Sequence, residues 1–200
     1  MSKLAIVLIL LISSSVFATW LYYCSDNPAD SWGPGSTIYG VRFTPPQNSG
    51  FIDIVRVHCF AQFSGFAVAA PPYFNISLWH VESGSPTTQI IQATYPFSGG
   101  SYYDPAWRDF DFNYQWSGGS ETEFLIGVEP LHTACGSGSY WNSRISTDDQ
   151  LTPPNRNWRY YTTISTWSLI TSTGDLMIKV EFCSTGVKAA SLGRIKSLFQ

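Results

Sequence analysis

The chain reads as an all-β protein, an antiparallel β-sandwich of jelly-roll type with about nine or ten strands. Three observations predict it. Apolar residues recur with a period of two rather than 3.6. Turn-rich segments break the chain at short intervals: Pro45-Pro46-Gln47-Asn48-Ser49-Gly50, Ser83-Gly84-Ser85-Pro86, Ser98-Gly99-Gly100 and Ser117-Gly118-Gly119-Ser120. No amphipathic helix falls between residues 19 and 184, which argues against any βαβ arrangement. Composition agrees. Of 200 residues, 16% are aromatic and only 12% charged. Disordered chains are charge-rich and aromatic-poor. No repeat of solenoid or propeller length is visible.

Taken from the N-terminus, the first element is a leader. Lys3 precedes an apolar run from Leu4 to Ile12, followed by Ser13, Ser14 and Ser15 and then Val16-Phe17-Ala18. A basic start, a short apolar stretch and a small-x-small site predict a signal peptide over 1–18. The run is too short to span a bilayer, which needs about 20 residues, and no later segment is longer. The expected product is secreted, extracellular or at the cell surface, with no transmembrane segment.

One domain is expected over 19–184. Strands are predicted at 20–24, 37–43 and 52–63. The next carries Phe74, Ile76 and Leu78 alternating with Asn75 and Ser77. Further strands follow at 88–94 and 108–116, then one with Phe124, Ile126 and Val128 between Glu123 and Glu129. The last lie at 139–145 and 158–163, and at Ile178, Val180 and Phe182 alternating with Lys179 and Glu181. Each pattern puts one face in a core and one in water. Pro71-Pro72 and Pro153-Pro154 mark loops.

Residues 185–200 differ in kind. They hold Lys188, Arg194 and Lys196 and no acid, with Val187, Leu192, Ile195, Leu198 and Phe199 at roughly helical spacing. The domain before them has seven basic residues against fourteen acids, a net charge of −7. That balance excludes a phosphate-neutralising nucleic-acid surface. A basic, weakly amphipathic tail on an acidic domain fits contact with a membrane or with sorting machinery; the alternative is a frayed end.

The four cysteines, Cys24, Cys59, Cys135 and Cys183, all follow the leader. An even count in an exported chain predicts two disulfides. Three connectivities are open, and Cys24–Cys183 with Cys59–Cys135 is favoured. Cys59 shares an inward face with Val55, Val57 and Ala61, whereas Cys183 shares an outward one with Lys179 and Glu181. Four free buried thiols are the alternative.

Catalytic signals are sparse. His58, His80 and His132 do not stand at metal-ligand spacing, and neither H-E-x-x-H nor G-x-S-x-G occurs. Asp109 with Asp111, and Glu121 with Glu123, place two carboxylates on one strand face, the minimum for a glycosidase. Their alternation with Phe110 and Phe112 reads more simply as a solvated face. Asp104, Asp148 and Asp149 offer oxygen ligands for a structural calcium ion; no other cofactor is expected.

Aromatic residues carry the stronger signal. Tyr102 to Trp116 holds seven, of which Phe110, Phe112, Tyr114 and Trp116 read as core. Trp107 follows Pro105 in a predicted loop, and Trp141, Trp158, Tyr160 and Tyr161 flank Asn142, Arg144, Asn155, Arg156, Asn157 and Arg159; the alternative is that each ring caps the end of the core. Rings stack on the C–H faces of a sugar while amides and guanidinium groups take its hydroxyls. Trp107, Trp141, Asn142, Arg144, Trp158 and Tyr160 are therefore the candidate ligand-binding residues.

Three stretches carry a resemblance. They are Y-G-V-R-F-T-P-P (Tyr39 to Pro46), N-I-S-L-W-H-V-E-S-G-S-P (Asn75 to Pro86), and the closing series F-L-I-G-V, S-T-D-D, N-W-R-Y-Y and G-D-L-M-I-K-V. Together they resemble the jelly-roll accessory domains of bacterial secreted and cell-surface proteins, similar in outline to galactose-binding-like and carbohydrate-binding modules. The end S-L-G-R-I-K-S-L-F resembles W-G-x-I-K-x-L-[YF] tails of exported bacterial proteins, with Leu192 in place of the Trp. The resemblance implies a non-catalytic binding or surface-interaction module with a glycan or a cell-surface component as partner. A structural subunit of a surface layer or fibre, and a small glycosidase, are the competing readings.

Overall fold

A computed structural model of the chain describes residues 18–183, except 48, 66–69, 98–100, 119–121, 136–137, 151–154 and 172–173. The leader up to residue 17, the basic tail and Glu121 lie outside the described residues, and Ala18, read as the leader's last residue, opens the first strand. Thirteen strands form, in chain order β1 (Ala18–Tyr22), β2 (Asp30–Trp32), β3 (Thr37–Phe43), β4 (Ser49–Ser64), β5 (Tyr73–Glu82), β6 (Ser85–Pro96) and β7 (Ala106–Ser117). They continue as β8 (Phe124–Pro130), β9 (His132–Ala134), β10 (Tyr140–Thr147), β11 (Asn157–Tyr161), β12 (Thr166–Leu169) and β13 (Ile178–Cys183). All pairings are antiparallel. One sheet has seven strands along the path β1-β13-β4-β10-β2, with β7 also on β4 and β9 on β10. The other has six, in the order β12-β11-β3-β8-β5-β6.

The two sheets bury one core between them. Val41 and Phe43, Phe74, Ile76 and Leu78, and Phe124, Ile126 and Val128 come from the six-stranded sheet. Val55, Val57, Phe110, Trp141, Ile145, Ile178 and Val180 come from the seven-stranded one. These are the period-two residues of the sequence, so the predicted antiparallel sandwich is the fold. Strand β4 shows why the pattern needs care. Its core residues run Ile52, then Val55, Val57, Cys59 and Ala61, so their parity changes once. The register shifts at that place, with Val180 and Phe182 of β13 opposite Val55 and Ile52. An extra residue in one strand restores the inward face after the change.

Three of the thirteen strands, β2, β9 and β12, are three or four residues long and too short for alternation to reveal. Trp107, expected in a loop, lies on β7.

The expected disulfides do not form, and all four cysteines are free and buried. In the β1–β13 ladder Ala18 stands opposite Cys183 and Tyr22 opposite Lys179. Cys24 therefore lies beyond the far end of that ladder, about six residues or about 20 Å from Cys183. Cys59 pairs with Ile145, while the Cys135 amide bonds the Ser139 carbonyl at 2.8 Å, again about six residues away along β10. A bridge needs Cα atoms within about 7 Å.

Candidate functional site

The sandwich is open along one edge, where the short strand β2 of one sheet faces β3 and β11 of the other. β2 is held only by β10, with Trp32 opposite Ile145 and Asp30 opposite Thr147. Pro34 and Gly35 then end it. The chain turns back through Ser36, whose backbone is left-handed at φ 52°. The Ser36 carbonyl is fixed by the Thr162 amide at 3.0 Å and its hydroxyl at 2.9 Å. A non-glycine residue held in this conformation marks a loop whose shape is imposed by its surroundings.

Alternation in β11 decides what faces the edge. Arg159 pairs with Tyr39 and Tyr161 with Thr37, so these four side chains share the face turned toward the other sheet. Trp32 comes across from β2 and meets Tyr39, ring centroids 4.7 Å apart at 58°. The result is a cleft of about 410 Å³ lined by Ser31, Trp32, Gly33, Pro34, Thr37, Tyr39, Arg159 and Tyr161. Rings of three residues and hydroxyls of two more surround a guanidinium group.

Two arginines shape its electrostatics. Arg159 lies over the Tyr161 ring at 5.1 Å, and its Nε–H is buried with no partner. Arg144 reaches around the end of β2, donating from Nε to Ser31 Oγ at 3.0 Å and from Nη2 to the Ser31 carbonyl at 2.9 Å. Its passage explains Gly33, since a Cβ there would lie 3.0 Å from Arg144 Nη1. Burial pushes the Tyr39 phenol above its ordinary value, against the downward pull of Arg159 and Arg144. Next to this cleft, across Pro34, a groove of about 390 Å³ is lined by Glu129, His132 and Asn142 among others.

The predicted binding residues are scattered by this arrangement. None of them lines the cleft; Arg144 stands behind its Ser31–Gly33 wall, over the Phe60 ring at 6.0 Å. Asn142 is in the adjoining groove, with Oδ1 3.0 Å from His132 Nδ1. Trp141 is 1% exposed, and its indole donates to the Ala70 carbonyl at 2.9 Å; it is a core residue, not a stacking platform. Trp107 lies on the outer face of the seven-stranded sheet, edge-on to His58 at 5.3 Å and under Lys179 at 4.3 Å. Trp158 and Tyr160 point away from the cleft, one residue out of phase with Arg159 and Tyr161. They join Trp79 and Trp167 in a second apolar cluster on the far side of the six-stranded sheet.

The other candidates part in the same way. Asp148 is buried, and its carboxylate accepts from the amides of Ser25 at 2.5 Å, Gln150 at 3.0 Å and Asp175 at 2.7 Å. Asp104 and Asp149 are exposed. Among the described residues no three His, Cys, Asp or Glu side chains gather into a metal site, so the calcium set is not assembled. Asp109 is bound to Arg56, Nε to Oδ1 at 2.5 Å. Glu123 is shared by Arg42 at 3.4 Å and Arg156 at 2.8 Å. These three ion pairs tie down carboxylates that a glycosidase would need facing its substrate.

Sequence reasoning missed Trp32 and Tyr39 as site residues, and it grouped Arg159 and Tyr161 with Trp158 and Tyr160, which face the other way. The signal was present in N-W-R-Y-Y, where two phases of a strand carry two different aromatic faces. Nothing in the chain indicated that Trp32, on a three-residue strand, would close over the second phase.

An open-edged antiparallel sandwich with an aromatic, arginine-bearing cleft is thus the class that the fold and the site define. No family model matches the chain, and no curated protein matches it. Among solved structures, the clostridial cysteine protease Cwp84 after propeptide cleavage aligns with a TM-score of 0.53 at 8% identity, over 84% of this chain and 40% of that one. A structure of the cysteine protease and lectin-like domains of Cwp84, a surface layer associated protein of Clostridium difficile, gives a TM-score of 0.48 at 10% identity, over 80% and 37%. The chain spans well under half the length of either, and the likeness is one of fold.

Proposed function

We propose that this domain is a non-catalytic binding module that takes a saccharide in the cleft between β2 and β11. The observation that carries the reading is the convergence of Trp32, Tyr39 and Tyr161 with Ser31, Thr37 and Arg159 around one concavity. Rings supply apolar faces for pyranose C–H groups, and the hydroxyls and guanidinium supply directional partners for its oxygens. No cysteine lines the cleft. Burial pushes the Cys24 thiol up to about 12 and also raises Cys59 and Cys183, so thiolate is scarce at neutral pH. The predicted leader would carry such a module to the cell surface, where glycans are displayed.

Affinity electrophoresis through gels containing neutral and acidic polysaccharides tests the reading. The wild-type chain is expected to be retarded by at least one of them. Trp32→Ala or Tyr161→Ala should each weaken retardation tenfold or more, and Trp107→Ala should leave it unchanged. Cleft variants that migrate like the wild type in every gel would refute it.

A further inference from the structure

Four of the seven cationic side chains of the described residues are held in ion pairs. Arg42 and Arg156 hold Glu123, Arg56 holds Asp109, and Lys179 holds Asp26 at 2.7 Å. Of the other three, Arg108 lies over the Phe97 ring and bonds the Ser101 carbonyl at 2.6 Å; Arg144 and Arg159 remain. Among the described residues neither Arg144 nor Arg159 has a carboxylate within ion-pair distance; Arg159 lines the cleft, and Arg144 stands behind its Ser31–Gly33 wall. No acid lines the cleft. The nearest acid along β2, Asp30, opens instead onto a separate groove with Pro28, Phe60, Pro105 and Ser146, and its Oδ1 accepts from the Ser31 amide at 2.7 Å.

Both guanidinium groups are also partly withdrawn from water. Arg159 is half-buried on the Tyr161 ring with its Nε–H unpartnered. Arg144 spends Nε and Nη2 on Ser31, which leaves Nη1 against Gly33 behind the cleft wall. Positive charge drawn out of water without a counter-charge is unfavourable unless an anion completes it. Arginine favours oxyanions with two oxygens in a plane, which its fork can hold together.

We infer that the cleft selects a negatively charged saccharide, one whose carboxylate, sulfate or phosphate group sits against Arg159, with Arg144 adding a second positive field and the aromatic rings holding the sugar. This rests on the saccharide reading above and narrows it to a charge class. No bond is made or broken; the anion replaces water around two cations.

The test runs the full chain through gels holding polygalacturonate, its fully methyl-esterified form, dextran sulfate or neutral dextran. Esterification removes the charge and keeps the sugar, so it isolates the inference. Retardation by polygalacturonate that disappears on esterification supports a carboxylate ligand. Retardation by dextran sulfate alone supports a sulfate or phosphate ester. In either case Arg159→Gln should weaken retardation at least tenfold, Arg159→Lys should recover part of it, and Arg56→Gln, on the outer face of the seven-stranded sheet, should change nothing. Thermal melts of the variants separate lost binding from lost folding. Equal retardation by polygalacturonate and its ester, indifferent to Arg159→Gln but abolished by Trp32→Ala, would overturn the charge selectivity and leave the saccharide reading intact. Equal weakening by Arg56→Gln would overturn it too, as diffuse attraction. No retardation in any gel would remove both.

Discussion

Asp148 shows how one side chain organises a loop region. Its two oxygens receive three backbone amides, from Ser25, Gln150 and Asp175. Asp175 in turn accepts from Asn157 Nδ2 at 2.5 Å, and Asn157 Oδ1 accepts from the Leu176 amide at 3.2 Å. The network ties the segment before β2, the end of β10, the start of β11 and the approach to β13. Asp148→Asn places an N–H₂ where an amide-accepting oxygen stood and leaves a buried donor unmet, which costs about 2–4 kcal/mol by the usual range for charged, buried hydrogen bonds. Denaturant unfolding of the purified variant measures it, and a cost below about 0.5 kcal/mol would mean the network is dispensable. The cysteines give a second prediction at this scale. All four are free and buried, so a thiol reagent should find almost none in the native protein and four after denaturation. Two or fewer after denaturation would show that bridges exist and that the strand registers need revision. The pairing inferred from sequence went astray because distance along a ladder is not legible in a strand pattern, and because Cys183, read as facing outward, is 2% exposed.

At the scale of elements, the six-stranded sheet has two apolar faces. The inner one was legible in Phe124, Ile126 and Val128. The outer one holds Ile38, Trp79, Val81 and Leu125, covered by Trp158, Tyr160 and Trp167. Trp79 on β5 and Trp167 on β12 are four strands apart, about 19 Å across a flat sheet, yet their rings meet at 5.1 Å. The sheet therefore curls until its edge strands cover its own outer face. Two glycines make room. A Cβ at Gly40 would lie 2.6 Å from Leu125, and one at Gly127 would lie 2.7 Å from Ile38 and from Ser77. The uninterrupted run F-L-I-G-V contained the hint, since Leu125 and Gly127 occupy positions that a solvated face would fill with polar residues. Its meaning was hidden because the curl depends on partners about 30 to 90 residues away in sequence. Trp79→Ala should destabilise the whole domain by about 3–5 kcal/mol, as for other buried large-to-small changes. Trp167→Ala, at the sheet edge, should cost less and act locally, raising amide exchange in β11 and β12 while β4 and β13 stay protected. Equal loss of protection in both sheets would indicate that the outer cluster is part of one cooperative core.

For the molecule as a whole, antiparallel layering followed from alternation and turn chemistry, properties local in sequence. The cleft did not, because Trp32, Tyr39, Arg144 and Arg159 come from four strands in two sheets, and only closure of the sandwich edge brings them together. Global stability shows the same dependence on assembly in its response to pH. His58 is buried, with Nδ1 2.9 Å from Ser146 Oγ. Burial lowers its pKa below the ordinary 6.5, Arg108 and Lys179 lower it further, and Asp26 opposes them. The unfolded chain recovers the ordinary value, so below about pH 6.5 it binds more protons than the native state, and stability must fall as the solution is acidified through that window. Glu181 acts the other way in a lower range. Burial raises its pKa above 4.5, with Asp53 adding to the rise and Arg56 opposing it, so the stability it contributes is present at acid pH and is lost as pH rises through its native pKa. Between pH 7.5 and 5.5 the histidine should dominate. Denaturant unfolding across that interval should show stability declining toward pH 5.5 in the wild type and a flatter profile in His58→Gln, which can keep a hydrogen bond to Ser146 without a titrating ring. Parallel profiles would mean that His58 takes up its proton as readily in the folded protein as in the unfolded chain, and that the packing of Trp107 and β10 around it excludes less water than the geometry requires.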